Sequence, residues 1–419
     1  MKILIVHNRY RPTAPSGENV VVDQESAALT ASGHDVVLFQ RHSEEIATWS
    51  PTRRATLPAR VLWSGESRRA IMKSLVEFGP DVVHVHNTFP LVTPAVLYAC
   101  REAGVPVVAT IHNYKLGCAS GEFFRDGRVC HDCLEGSSLH AVEHGCYRGS
   151  RAATVPVVLG SWLHSSAWRT MVSAYMFISG AQRDLLSPLG LPEDRSFVKH
   201  NFVPPPPGDT QIATMPQIAY IGRLDEAKGA PFLMRAWDGF RARRPRSPLR
   251  LMIAGGGEMA DAVTRWAAGH PSVTMAGHVP RTEVARILAG SRAVVVPSQW
   301  EETFGMVAVE AMAAGTAPVA SAHGAFPELV TPGIDGALFQ SSDVDALVDI
   351  MAGIDDNPER WDEFGARAQQ TYQSRFSPDA GVARLLEVYR FAISHPIEAS
   401  QSPSEPVGRT SRTSPGVIT

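Results

Sequence analysis

Two Rossmann-like α/β units are predicted from three observations. Short apolar runs alternate with helical patterns through the first half of the chain. The alternation halts at the run Pro204, Pro205, Pro206 and Pro207, followed by Gly208, and the same alternation then restarts. Strand–helix alternation argues for parallel sheets covered by helices on both faces. In the first unit, strands are expected at 3–6, 36–39, 82–85, 107–111 and 175–178, with helices at 20–31, 67–78, 94–103 and about 160–171. The proline run reads as a stiff extended connector. In the second unit, strands are expected at 218–221, 249–254, 273–275, 293–296, 317–320 and 337–339, with helices near 230–240, 259–268, 281–289 and 306–314. A last helix is expected at 378–393. From His395 onward Ser, Pro, Thr and Glu dominate, so a disordered tail is expected over 395–419. The expected domains are 1–203, carrying a cysteine-rich insert at 113–149, then 204–376, with a closing helix at 377–394.

A chain of 419 residues is too long for one ordinary core. Its hydrophobic content of 44% and charged content of 19% fit a soluble globular protein. The formal charge of −3 provides no global basic field, which argues against nucleic acid as a partner. No apolar run of about 18 residues is present, so no spanning helix is expected. The start, Met-Lys-Ile-Leu-Ile-Val-His, reads as a first strand and lacks a signal-peptide cleavage site. The expectation is a cytoplasmic protein with reduced thiols.

Glu302 and Glu310 carry the strongest chemical signal. Glu302 lies in a polar loop before the Phe304-Gly305 turn, and Glu310 lies in the otherwise apolar run 306–314. An apolar helix is buried, and a buried carboxylate needs a donor, from an Arg side chain or from a ligand. The turn exposes free backbone N–H groups at a helix start, a ready anion site. Phosphate donors and two acceptors for sugar hydroxyls would then share one place. Arg223 and Lys228, five residues apart between Gly222 and Gly229, follow a strand, where open α/β sheets bind ligands. Two ordinary surface cations are the alternative.

The Glu-x7-Glu spacing, with Phe-Gly after the first Glu, resembles the signature of family 4 retaining glycosyltransferases of the GT-B fold. The loops Gly222–Gly229, Ala254-Gly255-Gly256-Gly257 and Gly324-Ala325-Phe326-Pro327-Glu328 resemble further loops of that family. The likeness covers roughly residues 1–390. It implies that Arg223 and Lys228 bind the donor diphosphate, with the amides of Gly305 and Met306. Glu302 would contact the donor sugar, and Glu310 the nucleotide ribose. Gly17, after strand one, would let a phosphate approach the backbone. The family usually has two glycines where this chain has Ser16-Gly17. His112, at a strand end, matches a histidine lining the donor-sugar pocket; a hydrogen-bonded structural histidine is the alternative. His84, His86 and Asn87 close the neighbouring strand as acceptor-side or simple strand-end residues. The resemblance also implies a UDP- or GDP-sugar donor, a saccharide, lipid-linked or metabolite acceptor, retention of anomeric configuration, no catalytic divalent metal, and a final helix crossing back to the first domain. A GT-B sugar epimerase and a non-catalytic nucleotide-sugar-binding subunit are the competing functions. A dehydrogenase is disfavoured, because no Gly-x-Gly-x-x-Gly follows strand one.

Cys118, Cys130, Cys133 and Cys146 are spaced C-x11-C-x2-C-x12-C. An Asp126-Gly127 hairpin delivers the C-x2-C knuckle. This spacing is compatible with a structural tetrahedral zinc site, the alternative being unliganded thiols. Arg53, Arg54, Arg60, Arg68 and Arg69, with Trp49 and Trp63, read as a solvated face or as a peripheral membrane patch.

Overall fold

The computed structural model describes residues 1–10, 17–207 and 212–397. Gly208, and the expected tail from 398 on, lie outside the described residues. The first half holds β1 (Lys2–Arg9), β2 (Asp35–His42), β3 (Val82–Asn87), β4 (Val107–Ile111), the short hairpin β5 (Phe124–Arg125) and β6 (Arg128–Val129), β7 (Ala174–Phe177) and β8 (Ser196–Val198). Its main sheet is parallel, in the order β2-β1-β3-β4-β7-β8. The second half holds β9 (Met215–Ile221), β10 (Arg250–Ala254), β11 (Val273–Gly277), β12 (Ser291–Val296), β13 (Ala317–Ser321) and β14 (Ala337–Phe339). These form a second parallel sheet, β11-β10-β9-β12-β13-β14. Every residue of β3, β4 and β13 is buried. Helices on both faces leave no solvent-facing side, which is why β4 and β13 read as largely apolar runs, while the polar residues of β3 (His84, His86 and Asn87) are buried.

Strand order reverses at β1/β3 in one sheet and at β9/β12 in the other. Ligands of open α/β sheets sit at such switch points, beyond the carboxyl ends of the strands. Gly17 opens the helix that follows β1, and the loops after β9 and β12 contain Arg223 with Lys228, and Glu302.

The helix Pro378–Ser394 starts with Ser377 capping the Ala380 amide. It then returns to the first sheet, where Leu385, Val388, Tyr389 and Ala392 share a core with Ile3, Ile5, Val108 and Met176. The halves also meet at polar contacts. Ser179 Oγ donates to the Thr303 carbonyl at 2.8 Å, and Glu328 accepts the amides of Gly180, at 2.8 Å, and Ala181. An acid of the second half thus satisfies open N–H groups at a helix start in the first.

Several elements differ from the sequence reading. The helix expected at 160–171 begins at Arg151, capped by Ser150, and runs to Thr170 with Pro156 inside. Its first turns were masked by that proline and by apolar residues on two faces. Residues 45–62 form three short helices, Glu45–Thr48, Pro51–Ala55 and Leu57–Leu62. The helices Val344–Asp356 and Pro358–Arg375, and strand β8, were not anticipated.

The basic segment is not a free cationic patch. Arg53 and Arg60 pair with Glu66 at 3.0 and 3.3 Å, and Arg68 pairs with Glu102. Trp49 is buried beneath Arg53. No helix among the described residues is long and apolar enough to cross a membrane.

Candidate active site

A cavity of about 530 Å³ lies between the halves, at the carboxyl ends of both sheets. Gly17 and His112 line it from the first half; Arg223, Lys228, Glu302, Gly305 and Met306 line it from the second.

The loop after β9 is rigidly stitched. The Gly222 and Leu224 amides donate to the carbonyls of Ala254 and Gly256, and the Tyr220 hydroxyl donates to the Arg223 carbonyl at 2.6 Å. Asp225 accepts the Lys228 amide at 2.7 Å. This presents Lys228 Nζ to Glu302 Oε2 at 2.7 Å and over the Trp300 ring at 4.9 Å. Arg223 stays half exposed, 3.2 Å from Asp225 and 3.5 Å from Glu122 across the cleft.

Glu302 is 5% exposed. Its Oε2 accepts from Lys228, from Ser298 Oγ at 3.1 Å and from Trp300 Nε1 at 3.0 Å. Oε1 accepts no hydrogen bond among the described residues. Charge-assisted bonds therefore hold one oxygen and leave the other for a ligand hydroxyl. Gly324, in the Gly-Ala-Phe-Pro-Glu loop, has φ +58°, and a Cβ there would sit 2.6 Å from the Glu302 carbonyl oxygen. That close approach lets the Ala325 amide donate to the same carbonyl at 2.9 Å. Gly305, φ +93°, starts the helix Met306–Ala313, and a Cβ there would lie 2.4 Å from the Phe326 ring. The open amides of that helix start border the cavity.

Glu310 departs from the sequence expectation. Its side chain is 23% exposed rather than fully buried, and Arg281 stands 3.7 Å away. It is not among the residues lining the cavity. Burial raises its pKa, and Arg281 opposes the shift. The side-chain donor left open by the sequence is therefore present.

His112 is 6% exposed. Its Nε2 lies 2.8 Å from His86 Nδ1, with the rings stacked. His84 Nε2 meets Thr110 Oγ1 at 2.7 Å, and its Nδ1 meets the Tyr389 hydroxyl at 2.7 Å. Behind them the fully buried Glu25 and Lys199 form an ion pair. Glu25 Oε2 lies 3.6 Å from His86 Nε2. Burial, with lesser repulsion from nearby cations, holds the pKa values of His84, His86 and His112 well below the usual histidine value. All three are neutral rings at pH 7.

Glu18, Asn113 and Lys115 also line the cavity, and sequence reasoning carried none of them forward. Burial pushes Glu18 up to about 7, opposed by the Asn113 hydrogen bond and by Lys115. Burial lowers Lys115, opposed by Glu18. The available signal was an acid directly after Gly17.

The four insert cysteines are free thiols, each half-buried. Burial and the nearness of Cys118, Cys146 and Cys130 push Cys133 up to about 11. The four thiols are near enough to act on one another's charge, yet among the described residues no three of them are grouped as ligands of one ion. As it stands, the set is open rather than tetrahedral.

Comparison with known proteins fits this geometry. Residues 15–205 match the Glycosyltransferase Family 4 profile, and residues 209–371 match that of Glycosyl transferases group 1. The chain is 28% identical to glycogen synthase of Mycobacterium tuberculosis, covering 93% of this chain and 94% of that protein. It is 29% identical to D-inositol 3-phosphate glycosyltransferase 1 of Catenulispora acidiphila, over 75% and 72% of the two chains. Among solved structures, sucrose-phosphate synthase from Thermosynechococcus elongatus superposes with a TM-score of 0.65 at 18% identity, covering 94% of this chain and 99% of that one. HepE of Anabaena, in complex with UDP, gives 0.63 at 17%, covering 93% and 100%. With profiles matching both halves and a cleft built between two parallel sheets, the chain belongs to glycosyltransferase family 4: it is an enzyme of the GT-B fold that transfers sugar.

Proposed function

We propose that the enzyme moves a hexose from a UDP- or GDP-sugar to a saccharide, lipid-linked or metabolite acceptor in polysaccharide or glycoconjugate biosynthesis, with retention of anomeric configuration. The observation that carries this reading is the convergence of Arg223, Lys228 and the Gly305–Met306 amides around Glu302 in one cleft. Transfer passes through an oxocarbenium-like state as the diphosphate departs. Fixed cations and helix-start amides stabilise the leaving charge, which is where electrostatic catalysis has most effect. The same groups supply that stabilisation without a divalent metal.

In this reading, residues 1–203 bind the acceptor and residues 204–376 the donor, with 377–394 tying them. Gly17 and the Gly305 and Met306 amides border the diphosphate, Glu302 Oε1 takes a donor-sugar hydroxyl, and neutral His112 faces the same sugar. Glu310 serves the ribose only with its Arg281 pair opened. In the insert at 113–149, Cys118, Cys130, Cys133 and Cys146 would hold a structural zinc as an all-thiolate set only if their sulfurs were drawn together. The neighbour in complex with UDP supports a nucleotide donor.

The test is incubation with a panel of nucleotide sugars, following UDP or GDP release with and without sugar and lipid-linked acceptors. Acceptor-dependent release from one donor is expected. No release from any donor, with nucleotide still bound, would instead assign a non-catalytic binding role.

A further inference from the structure

A second cavity, of about 290 Å³, lies wholly within the first half. The loops after β3 and β4 form one wall and the helix Arg151–Thr170 forms the other. Its apolar lining includes Val61, Phe89, Leu116, Trp168 and Leu189. Two cations, Lys115 and Arg169, line it as well, and no acid does. Neither cation has a carboxylate within salt-bridge distance among the described residues. His164 also lines the cavity; it is 6% exposed, and its Nδ1 has no hydrogen-bond partner. Lys115 borders both this cavity and the catalytic cleft. Lys115 therefore stands between the apolar space and the place where sugar transfer is proposed.

The helix wall has a second apolar face. Val155, Leu159, Trp162 and Leu163 follow the spacing i, i+4, i+7, i+8, and they are 47%, 38%, 69% and 47% exposed. At about 100° per residue this stripe faces away from Val157, Ser161, His164 and Trp168, while Pro156 and Arg169, which also line the cavity, stand at its two edges. Such a stripe, with Trp at its centre, suits the apolar boundary of a bilayer.

We propose that this cavity binds the apolar chain of a lipid phosphate or diphosphate carrying the acceptor sugar. The chain lies among Phe89, Leu116 and Trp168. Lys115 and Arg169 hold the phosphate, and the sugar beyond it reaches the cleft past Lys115. The outer stripe of the same helix rests on the membrane surface from which such a carrier is drawn. An uncharged apolar ligand would leave Arg169 without a counter-ion, and a free sugar would leave the apolar walls unfilled. The assignment rests on the proposed transferase reading for its purpose, but its test does not.

The experiment is titration calorimetry of the full chain with farnesyl phosphate, farnesol and inorganic phosphate, each below its aggregation limit. Saturable binding of farnesyl phosphate is expected, at least about tenfold tighter than farnesol, since a charge-assisted phosphate contact is lost in the alcohol. A Cβ at Gly160 meets only Leu62, at 3.5 Å, so Gly160→Phe has room to enter the cavity. It should abolish lipid binding while UDP or GDP binding persists. Ser161→Leu, on the same wall, is the second variant should Gly160→Phe fail to fold. Arg169→Ala should weaken farnesyl phosphate and leave farnesol unchanged. Absence of saturable binding, equal binding of the alcohol, or unchanged binding in a folded wall variant would each overturn the assignment. Lipid binding without any sugar transfer would remove the transferase reading and leave the lipid subsite standing.

Discussion

Lys228 and Glu302, 74 residues apart in the chain, form an ion pair in the cleft, with Nζ 2.7 Å from Oε2. The pair ties the loop that offers cations to the loop that offers an acceptor. Lys228→Ala should therefore do two things: remove a phosphate contact and loosen Glu302. Arg223→Ala should do only the first. Each is expected to weaken nucleoside diphosphate binding by about 1.5–3 kcal/mol. A double-mutant cycle of Lys228→Ala with Glu302→Gln should show coupling of about 0.5–3 kcal/mol, and Arg223→Ala with Glu302→Gln much less. Calorimetry measures both, and unchanged affinity in the two cation variants would refute the donor-site assignment.

Glu302→Gln should lower turnover more than donor affinity, because its free oxygen is the one proposed to take a hydroxyl of the reacting sugar. Glu310→Gln should lower nucleotide affinity if the carboxylate leaves Arg281 for the ribose. If Glu310→Gln alters thermal stability alone, Glu310 is a structural partner of Arg281. Steady-state kinetics with calorimetry and melting curves separates these outcomes.

Glu25 Oε2 and His86 Nε2 lie beyond hydrogen-bond reach, so the field of the carboxylate rather than a bond favours one protonation pattern in the histidine chain. A proton on His86 Nε2 faces the Glu25 carboxylate at 3.6 Å, which leaves His86 Nδ1 to accept from His112 Nε2–H. His112 then keeps Nδ1 as an acceptor. Removing one partner of the buried Glu25–Lys199 pair costs about 3–5 kcal/mol, so the informative variant is the double change Glu25→Leu with Lys199→Met. It should fold, lose the fixed tautomers in nitrogen NMR spectra of His86 and His112, and lower kcat with donor KM little changed. Unaltered tautomers in the folded double variant would show that Glu25 does not orient His112.

Glu18 should make stability fall with pH. Its carboxyl is raised from 4.5 to about 7 by burial. Below about 4.5 the folded and unfolded states both hold the proton, and the favourable contribution is fully present. As pH rises through 7, the folded state must ionise a desolvated acid, and that contribution is lost, on the order of 2 kcal/mol. Glu18→Gln should remove this slope, so the variant gains stability relative to wild type at pH 8 and not at pH 4. Parallel pH profiles of denaturant midpoint would reject the shift.

A Cβ on Gly17 meets nothing within 4 Å, yet Gly17 borders the cleft. Gly17→Val should leave the empty protein intact and obstruct a diphosphate bridging the halves. Scattering with nucleotide sugar should show contraction in wild type and none in the variant. Equal contraction in both would remove Gly17 from the donor site.

The amino-acid order alone determined the two parallel sheets, because strands covered on both faces must be apolar throughout, and a short apolar run between turn signals is visible locally. It also determined the loops Gly222–Gly229 and Phe304–Gly305, whose glycines sit where backbone must approach something closely. It could not decide pairing. Lys228 with Glu302, Glu18 with Asn113 and Glu25 with Lys199 are brought together by crossovers spanning 74, 95 and 174 residues. Arg53 and Arg60 read as free charges until Glu66 stands beside them, and Glu310 read as buried until a packed helix proved open on one side. Burial and partnership are properties of the packed molecule: a local pattern specifies a strand or a turn, whereas the field and solvent around a side chain come from residues far away in sequence.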